Sequence, residues 1–106
     1  MGAPQDFRLS FNPGDAPGAP PLVHVESSNI ESCRWWDEQI YGHVGAANKG
    51  QSTMEVWFKA TKYSPRRGYY YYGVPQHVFR ELLAAGSKGV FLDRHVKKAG
   101  VRYSPI

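Results

Sequence analysis

The sequence predicts an α+β fold: a small antiparallel β-meander with two short C-terminal helices packed on one face, preceded by an extended Pro/Gly-rich arm. Three observations carry that reading. Residues 12–22 hold four prolines and two glycines, which neither a helix nor an inner strand accommodates. Apolar and polar residues alternate through 53–60, the period of a strand with one buried face. After Pro75 the period changes, and Val78, Phe79, Leu82 and Leu83 form the stripe of a short helix. A chain of 106 residues has the length of one domain, and composition divides it into an arm at 1–24 and a folded domain at 25–106.

The elements follow in order. Phe7, Leu9 and Phe11 alternate with Arg8 and Ser10. A strand pattern ahead of a Pro-rich linker has few neighbours of its own. These residues read either as a frayed tail or as a partner-binding arm that adds to a sheet edge, in cis or in another subunit. Residues 27–36 read as a turn and a strand marked by Ile30, Cys33 and Trp35, with imperfect alternation. Gly42, Gly45 and Gly50 make 38–52 a long flexible loop. In the next strand Met54, Val56, Phe58 and Ala60 share one face. Thr53, Glu55, Trp57 and Lys59 share the other, where Trp57 is a large aromatic among polar residues.

Ser64-Pro65-Arg66-Arg67-Gly68 is a turn with two arginines at its tip. Tyr69 to Tyr72 form a β-favouring run, with Tyr69 and Tyr71 on one face and Tyr70 and Tyr72 on the other. Pro75 suits the first turn of a helix, Gly86 the position that ends it, and Ser87 the cap of a second helix. Val90, Phe91 and Val96 give that second helix its apolar face. Lys97 and Lys98 complement the dipole in its last turn, and Gly100 closes it. Val101 to Tyr103 return as an edge strand that Pro105 stops.

The charge is uneven. Residues 1–29 hold one basic and three acidic residues, whereas 30–106 hold twelve basic and six acidic. A basic domain points to an acidic partner, nucleic acid first, against the plainer reading of a solubilising surface. One cysteine excludes an internal disulfide framework and a Cys-based zinc site, and Cys33 within a strand reads as core. No apolar run approaches the roughly 18–20 residues of a membrane span. The N-terminus lacks the basic-then-apolar order of a signal peptide, so the cytoplasm is expected.

Enzyme readings are poor. His24, His43, His77 and His95 have no metal-ligand spacing. A Ser87/Asp93/His95 triad lacks a nucleophile elbow and an oxyanion hole, and the glycines at 42, 45 and 50 form no phosphate-binding loop. The expectation is a non-enzymatic module without cofactor, metal, membrane contact or small-molecule substrate.

The ordered set Ser27-Ser28-Asn29-Ile30, Met54-Glu55-Val56-Trp57-Phe58, Tyr69-Tyr70-Tyr71-Tyr72-Gly73-Val74-Pro75, Ser87-Lys88-Gly89, Phe91, His95 and Arg102-Tyr103 resembles the KTSC domain. That family takes its name from the C-terminus of some lysyl-tRNA synthetases, and it also occurs as small bacterial and phage proteins. Its hallmark Tyr-x-Tyr is matched by Tyr69 and Tyr71, followed by an aromatic and a Val-Pro. The resemblance spans roughly 25–106. It departs at the longer 38–52 loop and at Asp93-Arg94-His95, where the family commonly has Asn. The resemblance implies RNA binding.

A nucleic-acid surface needs cations for phosphates and flat faces for bases. Lys59, Arg66, Arg67, Lys88, Arg94, Lys97, Lys98 and Arg102 supply the cations. Trp57 and one tyrosine pair, Tyr69 and Tyr71 or the alternate pair, supply the faces. RNA stands ahead of DNA. The alternative is a structural subunit of a phage particle, located in the virion, that docks on neighbouring protein subunits through Phe7, Leu9 and Phe11.

Overall fold

The computed structural model describes residues 18–42, 44 and 51–106. Phe7, Leu9 and Phe11, and His43 and residues 45–50 of the expected loop, lie outside the described residues. The five strands are β1 (Val23–His24), β2 (Ile30–Trp36), β3 (Thr53–Phe58), β4 (Arg67–Tyr72) and β5 (Tyr103–Pro105). They form one antiparallel sheet in chain order, the expected meander. The helices are α1 (Glu38–Tyr41), α2 (Gln76–Ala84) and α3 (Lys88–Leu92), the last running into a π turn at Asp93–Lys97.

The imperfect alternation of β2 has a local cause. The register pairs Ile30 with Phe58 and Ser32 with Trp57, so Glu31 is an extra residue opposite a continuous partner. Such a bulge shifts the parity of the strand by one. Ile30 and Cys33, three apart, therefore both enter the core.

On the helix face, Met54, Val56 and Phe58 pack with Tyr71, Val74, Leu82, Leu92 and Val96, and Val78, Phe79, Leu83 and Phe91 border this cluster. Ser87 caps α3 by accepting from the Val90 N–H, and Gly100 closes the following turn at φ 78°, both as expected. Three local expectations change. Residues 38–41 leave the loop for a single helical turn, because the Asp37 carboxylate accepts from the Gln39 N–H at 2.9 Å. Helix α2 ends at an extended Ala85, so Gly86 supplies no left-handed cap. The last strand begins two residues later than expected and includes Pro105, with the Ile106 N–H donating to the Gly68 carbonyl at 2.9 Å. Pro105 is tolerated because antiparallel bonding alternates, which turns its nitrogen toward the open edge.

The opposite, outer face is also closed. Glu55 is 1% exposed, and its carboxylate accepts from Arg34 Nε at 3.0 Å, Trp36 Nε1 at 3.0 Å and Trp57 Nε1 at 2.5 Å. Arg34 also lies over the Trp36 ring and donates through Nη1 to the Pro20 carbonyl. Tyr41 packs edge-on against Trp36 and donates to the Gly18 carbonyl. Residues 18–20 thus lie against the sheet. A buried carboxylate is tolerable only with such partners.

Replacing Glu55 by Ala strands the Arg34 guanidinium and two indole N–H groups. The expected loss is about 3–5 kcal/mol of unfolding free energy, read from urea denaturation, with Glu55→Gln losing less. A change below about 1 kcal/mol would show that the cluster is not a buried ion pair.

Candidate nucleic-acid interface

Strand parity decides which tyrosines can act. Tyr69 and Tyr71 lie on the helix face, opposite Val56 and Met54, and Tyr70 and Tyr72 on the outer face, opposite Glu55 and Thr53. Tyr72 is buried and its hydroxyl bonds Ser104 Oγ. Tyr72 is therefore committed to packing, and Tyr70 is half-buried beside it, their ring centroids 6.4 Å apart.

The helices leave one end of their own face uncovered. There Phe58, Arg67, Tyr69, Tyr71, Lys97 and Tyr103 line a cleft of about 330 Å³. Phe58 and Tyr71 form its floor at 3% exposure, and Tyr103 rises from it 63% exposed. The register explains the grouping: Phe58 stands opposite Arg67, and Tyr71 opposite Tyr103. The ring centroids of Tyr69, Tyr71 and Tyr103 lie 5.9–6.3 Å apart, and Phe58 meets Tyr69 edge-on at 5.9 Å. Two cations lie against Phe58, Arg67 at 5.3 Å and Lys97 at 4.8 Å from its centroid. Lys97 reaches it through the π turn, where the Lys98 N–H bonds the Asp93 carbonyl at 2.8 Å. That wider turn keeps Val96 in the core while bringing Lys97 to the cleft. Among the described residues no carboxylate lines the cleft.

Of the sequence-predicted residues, the structure brings together Arg67, Tyr69, Tyr71 and Lys97. The others stand elsewhere. Trp57 is no open stacking platform: its N–H is held by Glu55, Gly68 lies against its six-membered ring, and the Arg66 guanidinium stacks 4.1 Å from its ring centroid. A Cβ on Gly68 would come within 2.6 Å of that ring, so the close approach requires glycine. Arg66 donates to both Glu31 oxygens, at 2.7 and 3.0 Å, on the outer face. The arginine pulls the Glu31 carboxyl below its ordinary range, so this pair loses strength as pH falls through that lowered value. Lys59 donates to the Ser27 carbonyl and Lys88 to the Ala85 carbonyl. Lys98 pairs with Asp93 at 3.1 Å. Arg94 is exposed outside the cleft lining. Arg102 precedes β5 opposite Tyr72, with the Tyr72 N–H bonding its carbonyl, so its side chain belongs to the outer face.

Sequence reasoning missed Phe58 and Tyr103 as cleft residues. Phe58 was legible only as core, and Tyr103 only as an edge-strand residue. The cross-strand pairs that join them to Arg67 and Tyr71 are not written in either segment.

Residues 48–103 match the model of the KTSC domain. That span is more than half of the chain and contains every residue of the cleft, and the chain belongs to the KTSC domain family. No curated protein matches it. Strands β1 and β2 precede the matched span, although β2 pairs directly with β3. Among the described residues no helix is long and apolar enough to cross a membrane, and no group of His, Cys, Asp and Glu is placed to hold a metal ion.

Burial pushes the Tyr71 phenol up to about 12, helped by Tyr69 and Tyr103 and opposed by Arg67. The folded state therefore favours the neutral phenol. This contribution is complete below the ordinary tyrosine value of about 10 and is lost as pH rises toward about 12. The urea midpoint of the wild-type protein is expected to fall across that interval, and to fall less in Tyr71→Phe. Identical pH dependence in the two proteins would place Tyr71 in an ordinary solvated setting.

Proposed function

We propose that this KTSC domain is a non-enzymatic module that binds nucleic acid, RNA ahead of DNA, through the aromatic cleft. The observation that carries the reading is the pairing of an aromatic wall with Arg67 and Lys97 where no carboxylate among the described residues competes. Cations neutralise phosphates, and exposed rings stack on unpaired bases. A concave site of this size suits single-stranded segments, the usual targets of sequence-specific RNA recognition, better than a duplex. Tyr103 supplies the stacking face, Arg67 and Lys97 the phosphate contacts.

Fluorescence anisotropy against tRNA and against single- and double-stranded DNA at two salt concentrations tests this. Binding is expected to weaken steeply with salt. Arg67→Ala/Lys97→Ala should flatten the log–log salt slope on single strands by about 1.4, from two contacts at roughly 0.7 each. Arg66→Ala/Lys98→Ala, which removes cations already paired with carboxylates, should change it little. Tyr103→Ala should cost about 1–3 kcal/mol of binding. No binding at low salt, or equal losses from the two double variants, would reject the cleft as the site.

A further inference from the structure

Three phenol hydroxyls in the cleft have no partner among the described residues. Tyr41 and Tyr72 spend theirs on Gly18 and Ser104, whereas those of Tyr69, Tyr71 and Tyr103, like those of Tyr63 and Tyr70 outside the cleft, make no hydrogen bond among the described residues. Tyr71 is 3% exposed, yet no buried side-chain polar atom among the described residues lacks a partner. Its hydroxyl therefore opens into the cleft. Phenylalanine would pack these rings equally well, so packing alone does not account for the oxygens.

The donors outnumber the acceptors. Arg67 uses Nη1 on Ser64 Oγ at 3.3 Å and keeps its other N–H groups. Lys97 lies against the same Phe58 ring, and both cations line the one cleft. The Tyr69, Tyr71 and Tyr103 rings, with centroids 5.9–6.3 Å apart, line the same cleft as Arg67 and Lys97. The complement of this set is a compact, acceptor-rich group with more than one negative charge. A linking phosphodiester carries one charge, while a terminal phosphate monoester carries close to two at neutral pH and offers three terminal oxygens. The cleft, about 330 Å³, is at the small end of ligand sites, the scale of one nucleotide.

We propose that the cleft receives the phosphorylated end of a single strand, with the terminal phosphate monoester among Arg67, Lys97 and the three tyrosine hydroxyls, and the terminal base against Tyr103. This rests on the nucleic-acid reading above and narrows it.

The test is anisotropy of the full chain with one oligonucleotide carrying a 5′-phosphate, a 3′-phosphate or only hydroxyl ends, with competition by a free mononucleotide and by inorganic phosphate. A phosphorylated end is expected to bind about tenfold or more tighter than hydroxyl ends. Tyr71→Phe/Tyr103→Phe should erase that advantage while leaving the thermal midpoint of the unliganded protein unchanged. Competition by the mononucleotide as strong as by the phosphorylated strand identifies the free nucleotide as the source of the same chemistry. Equal, salt-sensitive affinity for phosphorylated and hydroxyl ends overturns the strand-end assignment and leaves nucleic-acid binding standing. An advantage that survives in the double variant overturns the role of the hydroxyls. Binding of neither strand overturns both readings.

Discussion

Glu55 places a carboxylate at the centre of the middle strand, sealed from water, and the outer face of the sheet is organised around satisfying it. An unpaired charge there would be untenable. Arg34 answers it with a guanidinium, and Trp36 and Trp57 with indole N–H groups. Each partner is held in turn: Arg34 by the Pro20 carbonyl, Trp36 by Tyr41, Trp57 by Gly68 and Arg66. Arg66 is itself anchored by Glu31, the bulge residue of β2. The same bulge that corrects the parity of the core therefore supplies the carboxylate that ends this chain of contacts.

The consequence is a division between the two faces. The outer face commits Arg34, Arg66, Trp36 and Trp57 to internal partners, while α2 and α3 cover only part of the helix face. Beyond their reach the β3–β4–β5 end keeps its rings and cations for the cleft. The π turn after α3 belongs to this arrangement, because it serves the core with Val96 and the cleft with Lys97 from adjacent positions.

The same residue types thus have different fates. Arg66 and Arg67 are neighbours in the chain, but strand alternation sends one to Glu31 and Trp57 and the other to Phe58. Lys97 and Lys98 diverge likewise, one beside an aromatic ring and the other paired with Asp93. A local count of positive charge treats each pair as equivalent, whereas contacts with distant segments separate them.

Period-2 alternation in 53–60 and in the tyrosine run, the helical stripe after Pro75 and the Ser87 cap were all legible in the sequence, because each depends on neighbours within a few residues. Those patterns, with the family resemblance, sufficed for an α+β meander with Tyr69 and Tyr71 on one face. The bulge at Glu31, the closure of the outer face and the choice among eight candidate cations were decided only by tertiary structure. Glu31 meets Arg66 thirty-five residues away, and Trp35 donates to the Val74 carbonyl across thirty-nine. Whether a cation is paired or open depends on which carboxylate the folded chain brings to it. Periodicity reports which face a residue occupies, and the register between strands determines what it meets there.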